Sequence, residues 1–351
     1  MTDDVWSAQD TSPDAIEAAL RELLRQRHAE DATFVPARVL NLVVIVDRDW
    51  RGEIENRLEQ VGRYHPSRTI VCAVDPRRTT LDAWVTMSAE GGKSPGELCV
   101  GHERVELELG PKHLARLDTI IDPLVVTDLA TLLWSPHGHP EAVDSLIALA
   151  QVVLLDSVDE PELRLALERV TELANKAYVV DLAWLRSTPW RERVAATFDP
   201  KPWREELRRI SAVKARHHPE SGVAGVLFFG WLASRLGWQP GSLLDTGGVL
   251  HGKASSRRQE VALRLEPDPR QSVRGLAGVS IETASGMSIS LDRAPGGLRA
   301  TRRTHDGRES QWTLLGASRG EGGILGEGVR QALLRDPTYR PALDAARAMV
   351  A

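Results

Sequence analysis

The chain has 351 residues, 42% of them hydrophobic and 26% charged, with a formal net charge of -5. Single cores rarely grow beyond roughly 250 to 300 residues, so a globular protein of two domains is expected. The weak acidity supplies no field for a polyanion, and no run of about 18 apolar residues is present to cross a bilayer, which excludes nucleic acid and membrane as default partners.

The opening Met1-Thr2-Asp3-Asp4-Val5-Trp6 is polar and acidic, without the basic and apolar regions of a secretory leader, so a cytoplasmic location is expected. Ser12 as N-cap and Pro13 start a helical pattern through Leu24. Residues 37–46, ARVLNLVVIV, are a nearly continuous apolar run that suits a central strand covered on both faces. A helix over 50–61 leads to the basic turn Gly62-Arg63-Tyr64-His65-Pro66-Ser67-Arg68-Thr69 and then to an apolar strand over 70–74. Strand, helix, turn, strand is the grammar of an α/β layer.

Strands over 81–86 and 97–109 flank a Gly-rich loop, a helix is expected over 111–121, and 132–134 and 152–157 read as buried parallel strands, ending in polar residues, around a helix over 140–150. Polar residues at strand carboxyl ends are where open α/β sheets place ligand contacts, which nominates Asp156, Ser157 and the Trp134-Ser135 corner. A charged amphipathic helix over 160–176 follows. Thr188 as N-cap with Pro189 behind it marks another helix start. The stretch Asp199-Pro200-Lys201-Pro202-Trp203 reads as a linker, dividing an α/β domain over 1–199, with a mostly parallel or mixed sheet, from an α+β domain over 200–351, with an antiparallel sheet. In the second half a strand is expected over 207–215. A small-residue helix over 220–237, a meander of alternating strands from Val261 to Leu315, and helices over 328–335 and 339–350 complete it.

Familiar catalytic signatures are missing. Gly91-Gly92-Lys93-Ser94 has Met87 where a phosphate-binding loop needs glycine, and it leads to a strand instead of a helix. Gly320-Glu321-Gly322-Gly323-Ile324-Leu325-Gly326 misses the dinucleotide fingerprint by one position. His137-Gly138-His139 and His217-His218 lack the companions of a metal site, so neither a metal nor a cofactor is expected. Cys72 and Cys99 sit in strand-like surroundings and read as small core residues, although adjacent strands would bring them close. Tryptophan is abundant, ten residues, several beside arginine as in Trp50-Arg51, Trp190-Arg191 and Trp203-Arg204, a pairing typical of protein interfaces although single tryptophans are usually core.

Taken in order and spacing, ARVLNLVVIV, RYHPSRTI, DLATLLWSP, VVLLDS and DLAWLRSTPWRE, with GWLASRLGW in the second half, resemble the OpcA family, the glucose-6-phosphate dehydrogenase assembly or activator proteins of cyanobacteria and actinobacteria. The resemblance implies a non-catalytic protein that binds glucose-6-phosphate dehydrogenase and favours its active form, so controlling the oxidative pentose phosphate pathway. Under that reading Arg63, His65, Ser67, Arg68, Trp134, Asp156, Ser157, Asp181, Arg186, Trp190 and Arg191 are expected to form one partner-binding surface at the carboxyl side of the first sheet. The alternatives are a sugar-phosphate or nucleotide-binding enzyme that uses the Arg63/Arg68 turn as an anion site, and a scaffold without effect on turnover.

Overall fold

The computed structural model describes residues 4–62, 66–91, 99–257, 259–315 and 321–351. The chain folds as two compact units. The first comprises Met1–Leu155, Asn175–Val180 and Leu325–Leu334; the second comprises Asp156–Ala174, Asp181–Ile324 and Arg335–Ala351. The proline-flanked stretch at 199–203 lies within the second unit.

The first unit is built on strands β1 (Asp4–Ala8), β2 (Phe34–Pro36), β3 (Leu40–Asp47), β4 (Ser67–Val74), β5 (Asp82–Gly91), β6 (Cys99–Leu109), β7 (Thr131–Trp134), β8 (Val152–Leu155) and β9 (Tyr178–Asp181). Their order is β1-β5-β6-β4-β3-β7-β8-β9, with β2 beside β6. β6, β4, β3, β7 and β8 run parallel, while β5 is antiparallel to β6 and β1 to β5, so the sheet is mixed. The apolar run read from sequence becomes β3, in the middle of the sheet, with every residue from Leu40 to Val46 buried. Such complete burial requires cover on both faces, which explains the absence of polar alternation.

Some elements add to those expected and others differ from them. The polar opening folds as the edge strand β1, held by backbone pairing to β5 even though Val5 stays 60% exposed. The helix expected over 111–121 breaks into a 3-10 turn over Pro111–Arg116 and a short helix over Asp118–Ile121. Cys72 pairs across from Leu107 on β6, whereas Cys99 opens that strand eight residues earlier. At about 3.3 Å per residue the two backbone positions are on the order of 25 Å apart, so strand adjacency does not bring the two residues together.

The second unit carries β10 (Ile210–His217), β11 (Gln239–Pro240), β12 (Leu244–Thr246), β13 (Val249–Ser255), β14 (Glu260–Pro267), β15 (Leu276–Thr283), β16 (Ser288–Ala294), β17 (Gly297–Arg303) and β18 (Glu309–Leu315). The order is β11-β13-β14-β10-β15-β16-β17-β18, with β12 on β13. The expected antiparallel sheet is in fact mixed, because β10 inserts between β14 and β15 and runs parallel to β14. Alternation does survive as read. Val261, Leu263 and Leu265 are buried between exposed neighbours, as are Ile289 and Leu291 between half-buried ones.

The helix Gly222–Leu236 packs on β10 and β14, and the helix Tyr339–Met349 packs on that helix in turn. Two glycines permit this. A methyl at Gly225 would overlap the Leu265 side chain, and one at Gly230 would overlap the Ala342 carbonyl oxygen and approach the Ala346 nitrogen to 2.8 Å. Gly230→Ala should therefore destabilise the protein by about 2 kcal/mol in urea denaturation, the backbone clash outweighing the propensity gain of roughly 1 kcal/mol. Gly52→Ala, on a helix position with open space around it, should instead stabilise by about 0.5–1 kcal/mol; equal effects would refute the close crossing.

Candidate functional site

The polar residues expected to gather at the carboxyl edge of the first sheet separate into different places. Ser67 and Arg68 begin β4, whereas Asp156 follows the last residue of β8, which runs parallel to it through β3 and β7. The turn thus feeds the amino edge of the sheet. Arg68 is no free cation: its Nε donates to Glu103 Oε2 at 2.9 Å and its Nη1 to the Leu124 carbonyl at 2.9 Å. Ser67 is buried, with its hydroxyl 3.0 Å from that of Thr69. Arg63 and His65 lie outside the described residues, as does most of the Gly91-Gly92-Lys93-Ser94 loop. Trp134 is buried within β7 and offers no ring at the surface.

The remaining members do converge, in the second unit, but inward. Asp181 is the N-cap of the short helix Leu182–Arg186. Its Oδ1 accepts from the backbone N–H of Ser157 at 3.1 Å and of Ala183 at 3.0 Å, and its Oδ2 from the Ser157 hydroxyl at 2.7 Å and the Tyr339 phenol at 2.9 Å. Asp156 caps the 3-10 turn at Ser157 and forms a 2.6 Å ion pair with Arg186. Arg274 continues the chain to Asp159 at 2.8 Å. The Arg186 side chain is only 5% exposed, so this pair sits in low dielectric.

A second inward cluster lies alongside. The Arg191 guanidinium stacks 3.5 Å from the Trp184 ring centroid, its Nη2 donates to the Thr188 hydroxyl at 2.9 Å, and Asp336 accepts from the Trp184 indole at 2.8 Å. Burial lowers Arg191 to about 10, and the Asp336 charge only partly opposes it. Thr188 is therefore not the N-cap expected from sequence; the flanking residue is Ser187, whose hydroxyl donates to the Trp184 carbonyl. Trp190 is buried, with Arg293 5.8 Å from its ring centroid. Asp181, Arg186, Trp190 and Arg191 thus stand as internal struts in place of the expected recognition face.

Sequence reasoning missed the residues at the switch point of the first sheet. From β3 the chain turns one way to β4 and β6 and the other way to β7 and β8, the order of a doubly wound sheet, and ligands of such sheets bind where the direction reverses. There Asp47 Oδ1 is 2.8 Å from His139 Nε2, the Asp47 backbone N–H donates to His137 Nδ1 at 3.1 Å, and the His137 ring packs 5.9 Å from Trp50. Burial lowers the His137 pKa, with Asp47 pulling the other way. The residues do not fit a dinucleotide. Where a pyrophosphate loop needs three glycines, the segment 47–53 has Asp47, Asp49 and Glu53 and only Gly52. The signal available in the sequence was Asp47 at the end of an apolar run together with the His137/His139 pair, but nothing local placed them side by side.

The structure thus defines a two-unit α/β protein whose titratable residues are mostly tied to one another. Comparison with known proteins gives its kinship. Residues 58–172 match a family described as the N-terminal domain of a glucose-6-phosphate dehydrogenase subunit, and residues 177–343 match one described as the C-terminal domain of the same. An OxPP cycle protein OpcA of Synechococcus elongatus is 26% identical over 68% of this chain and 52% of its own length. Its counterpart in Nostoc punctiforme is 32% identical over 48% of this chain and 36% of its own. The chain belongs to the OpcA family, and it spans about half or less of the length of the curated relatives it matches. Among solved structures, the WlbA (WbpB) dehydrogenase of Thermus thermophilus aligns with a TM-score of 0.45 and 15% identity over 88% of this chain and 93% of that one, a likeness too loose to bear on chemistry.

Two outcomes test the inward network. Burial, then the Asp156 charge, raises the Asp181 carboxyl from 3.8 to about 6, against the pull of the Ser157 and Tyr339 donors. A carboxyl raised in the fold contributes most below the unfolded pKa, so its contribution is full below about pH 4 and lost as pH rises through 6, on the order of 3 kcal/mol in total. Asp181→Asn should remove that decline from the stability profile measured between pH 4 and 7, and parallel profiles would exclude it. Arg186→Ala should cost about 3 kcal/mol by stranding the buried Asp156, and adding Asp156→Asn should recover part of the loss.

Proposed function

We propose that this chain is a non-catalytic protein that binds glucose-6-phosphate dehydrogenase and favours its active form, so controlling flux into the oxidative pentose phosphate pathway, and that it acts in the cytoplasm. The observation that carries the reading is the match of both halves of the chain to domains described as parts of a glucose-6-phosphate dehydrogenase subunit. The chemistry of the structure supports it. Asp181 and Arg186 are buried and engaged with partners of their own, so neither presents its group at the surface to a substrate. Among the described residues no helix is long and apolar enough to cross a membrane.

Such an activator acts by differential affinity. A protein that binds active and inactive forms equally shifts nothing, whereas a hundredfold preference for the active form shifts that equilibrium a hundredfold. The rival anion-site enzyme loses half its grip, because Arg68 is already held by Glu103 and the Leu124 carbonyl.

The test is the initial rate and substrate affinity of the dehydrogenase with and without this chain. A saturable rise in rate or fall in KM is expected, and no change in either would overturn the proposal. Within that assay Arg63→Glu should weaken activation in a folded variant, whereas Arg68→Glu should lower stability by setting two carboxylates together at Glu103.

A further inference from the structure

The arginines of this protein are largely neutralised by carboxylates, as at Arg38 and Arg68 with Glu103, Arg216 with Asp268 and Asp292, and Arg186 with Asp156. One cleft in the second unit departs from that habit. Its volume is about 730 Å³, it is lined by Arg208, Arg235 and Arg257 together with Ser234, Ser256 and Trp238, and no acidic residue is among its lining groups. The cations arrive from three elements: the 3-10 turn Glu205–Arg209, the last turn of the helix Gly222–Leu236, and the segment joining β13 to β14. Arg235 and Arg257 make no ion pair among the described residues, and Arg208 has only Glu205 at 3.9 Å, both side chains largely exposed.

A basic residue in a helix's last turn complements the helix dipole, and that accounts for Arg235 by itself. It does not account for Arg208 and Arg257 converging on the same space. In a chain of net charge -5, three guanidinium groups gathered with only the long, exposed Glu205 contact to offset them are a cost in mutual repulsion unless an anion completes them. The scaffold beneath is fixed: the Gln259 side chain donates to the Ile210 carbonyl at 2.5 Å, and the Ser256 hydroxyl donates to the Gln259 carbonyl at 2.9 Å, anchoring the β13–β14 connection to the start of β10. Trp238, 6% exposed, adds an apolar wall.

We propose that this cleft is a binding site for a small phosphorylated metabolite, its phosphomonoester held by Arg208, Arg235 and Arg257 and its ring lodged against the wall at Trp238. Guanidinium forks match phosphate oxygens in geometry as well as charge, and the volume lies within the range of small-molecule sites. Ser234 and Ser256 add hydroxyls at the lining. The site is independent of the proposed partner role and is tested with this chain alone.

Calorimetry on the full chain with glucose 6-phosphate, inorganic phosphate and glucose reads it out. Glucose 6-phosphate should bind at least tenfold more tightly than inorganic phosphate, and glucose should give no binding heat. Arg208→Gln with Arg257→Gln should weaken glucose 6-phosphate at least tenfold with thermal unfolding unchanged, whereas Arg164→Gln, at an exposed pair with Glu168, should leave it unaltered. Absence of binding by both phosphate probes, or binding unaffected in the double variant, would overturn the site. Equal affinity for the two phosphates would make it an adventitious ion only and overturn it equally. A phosphoserine peptide that bound more tightly than glucose 6-phosphate would give the site to a phosphorylated protein and overturn the metabolite.

Discussion

A single buried carboxylate ties together the stretches of chain from which the second unit is made. Asp181 belongs to the stretch 181–324, Ser157 to 156–174 and Tyr339 to 335–351, and all meet at the two oxygens of Asp181. Burying a carboxyl group is costly unless its lone pairs are filled, and here four donors fill them. The cost makes the connection specific. Any register of the three stretches that removed a donor would leave a buried polar group short of its partner.

The first unit depends on a different constraint, strand polarity. Parallel strands send all amino ends to one edge and all carboxyl ends to the other, so Arg68 and Asp47 cannot share a surface although β3 and β4 are neighbours. The switch point is occupied by a 3-10 turn of mixed charge after Asp47, with one histidine on the Asp47 carboxylate and another on its backbone amide, so the order of a doubly wound sheet is present without the glycine-rich loop that grips a pyrophosphate. Cys72, fully buried on β4, has its thiol pushed up to about 12 by burial, which leaves it protonated and inert at neutral pH.

Arginine serves in two ways across the molecule. Much of it pairs with acidic residues, within helices as at Arg164 and Glu168 or beside a sheet as where Glu103 receives Arg38 and Arg68. Charge pairing of that kind leaves little for a ligand. The cleft beside β10 differs in its lining, which holds Arg208, Arg235 and Arg257 and no acidic residue.

What the sequence by itself determined is local. The unbroken apolar run of β3, the alternation of β14 and β16, Ser12 capping a helix at Pro13, and the small residues that let the helix Gly222–Leu236 pack closely were all legible, because each follows from the period or size of adjacent residues. Tertiary structure alone decided strand order, the insertion of β10 parallel to β14, the recruitment of the polar opening as β1, and above all which polar residues face inward. Asp156, Asp181 and Arg186 read as surface chemistry because strand ends usually carry it. They became core because their partners, such as Tyr339 lying 158 residues from Asp181, are remote in sequence, and periodicity carries no information about contacts at that distance.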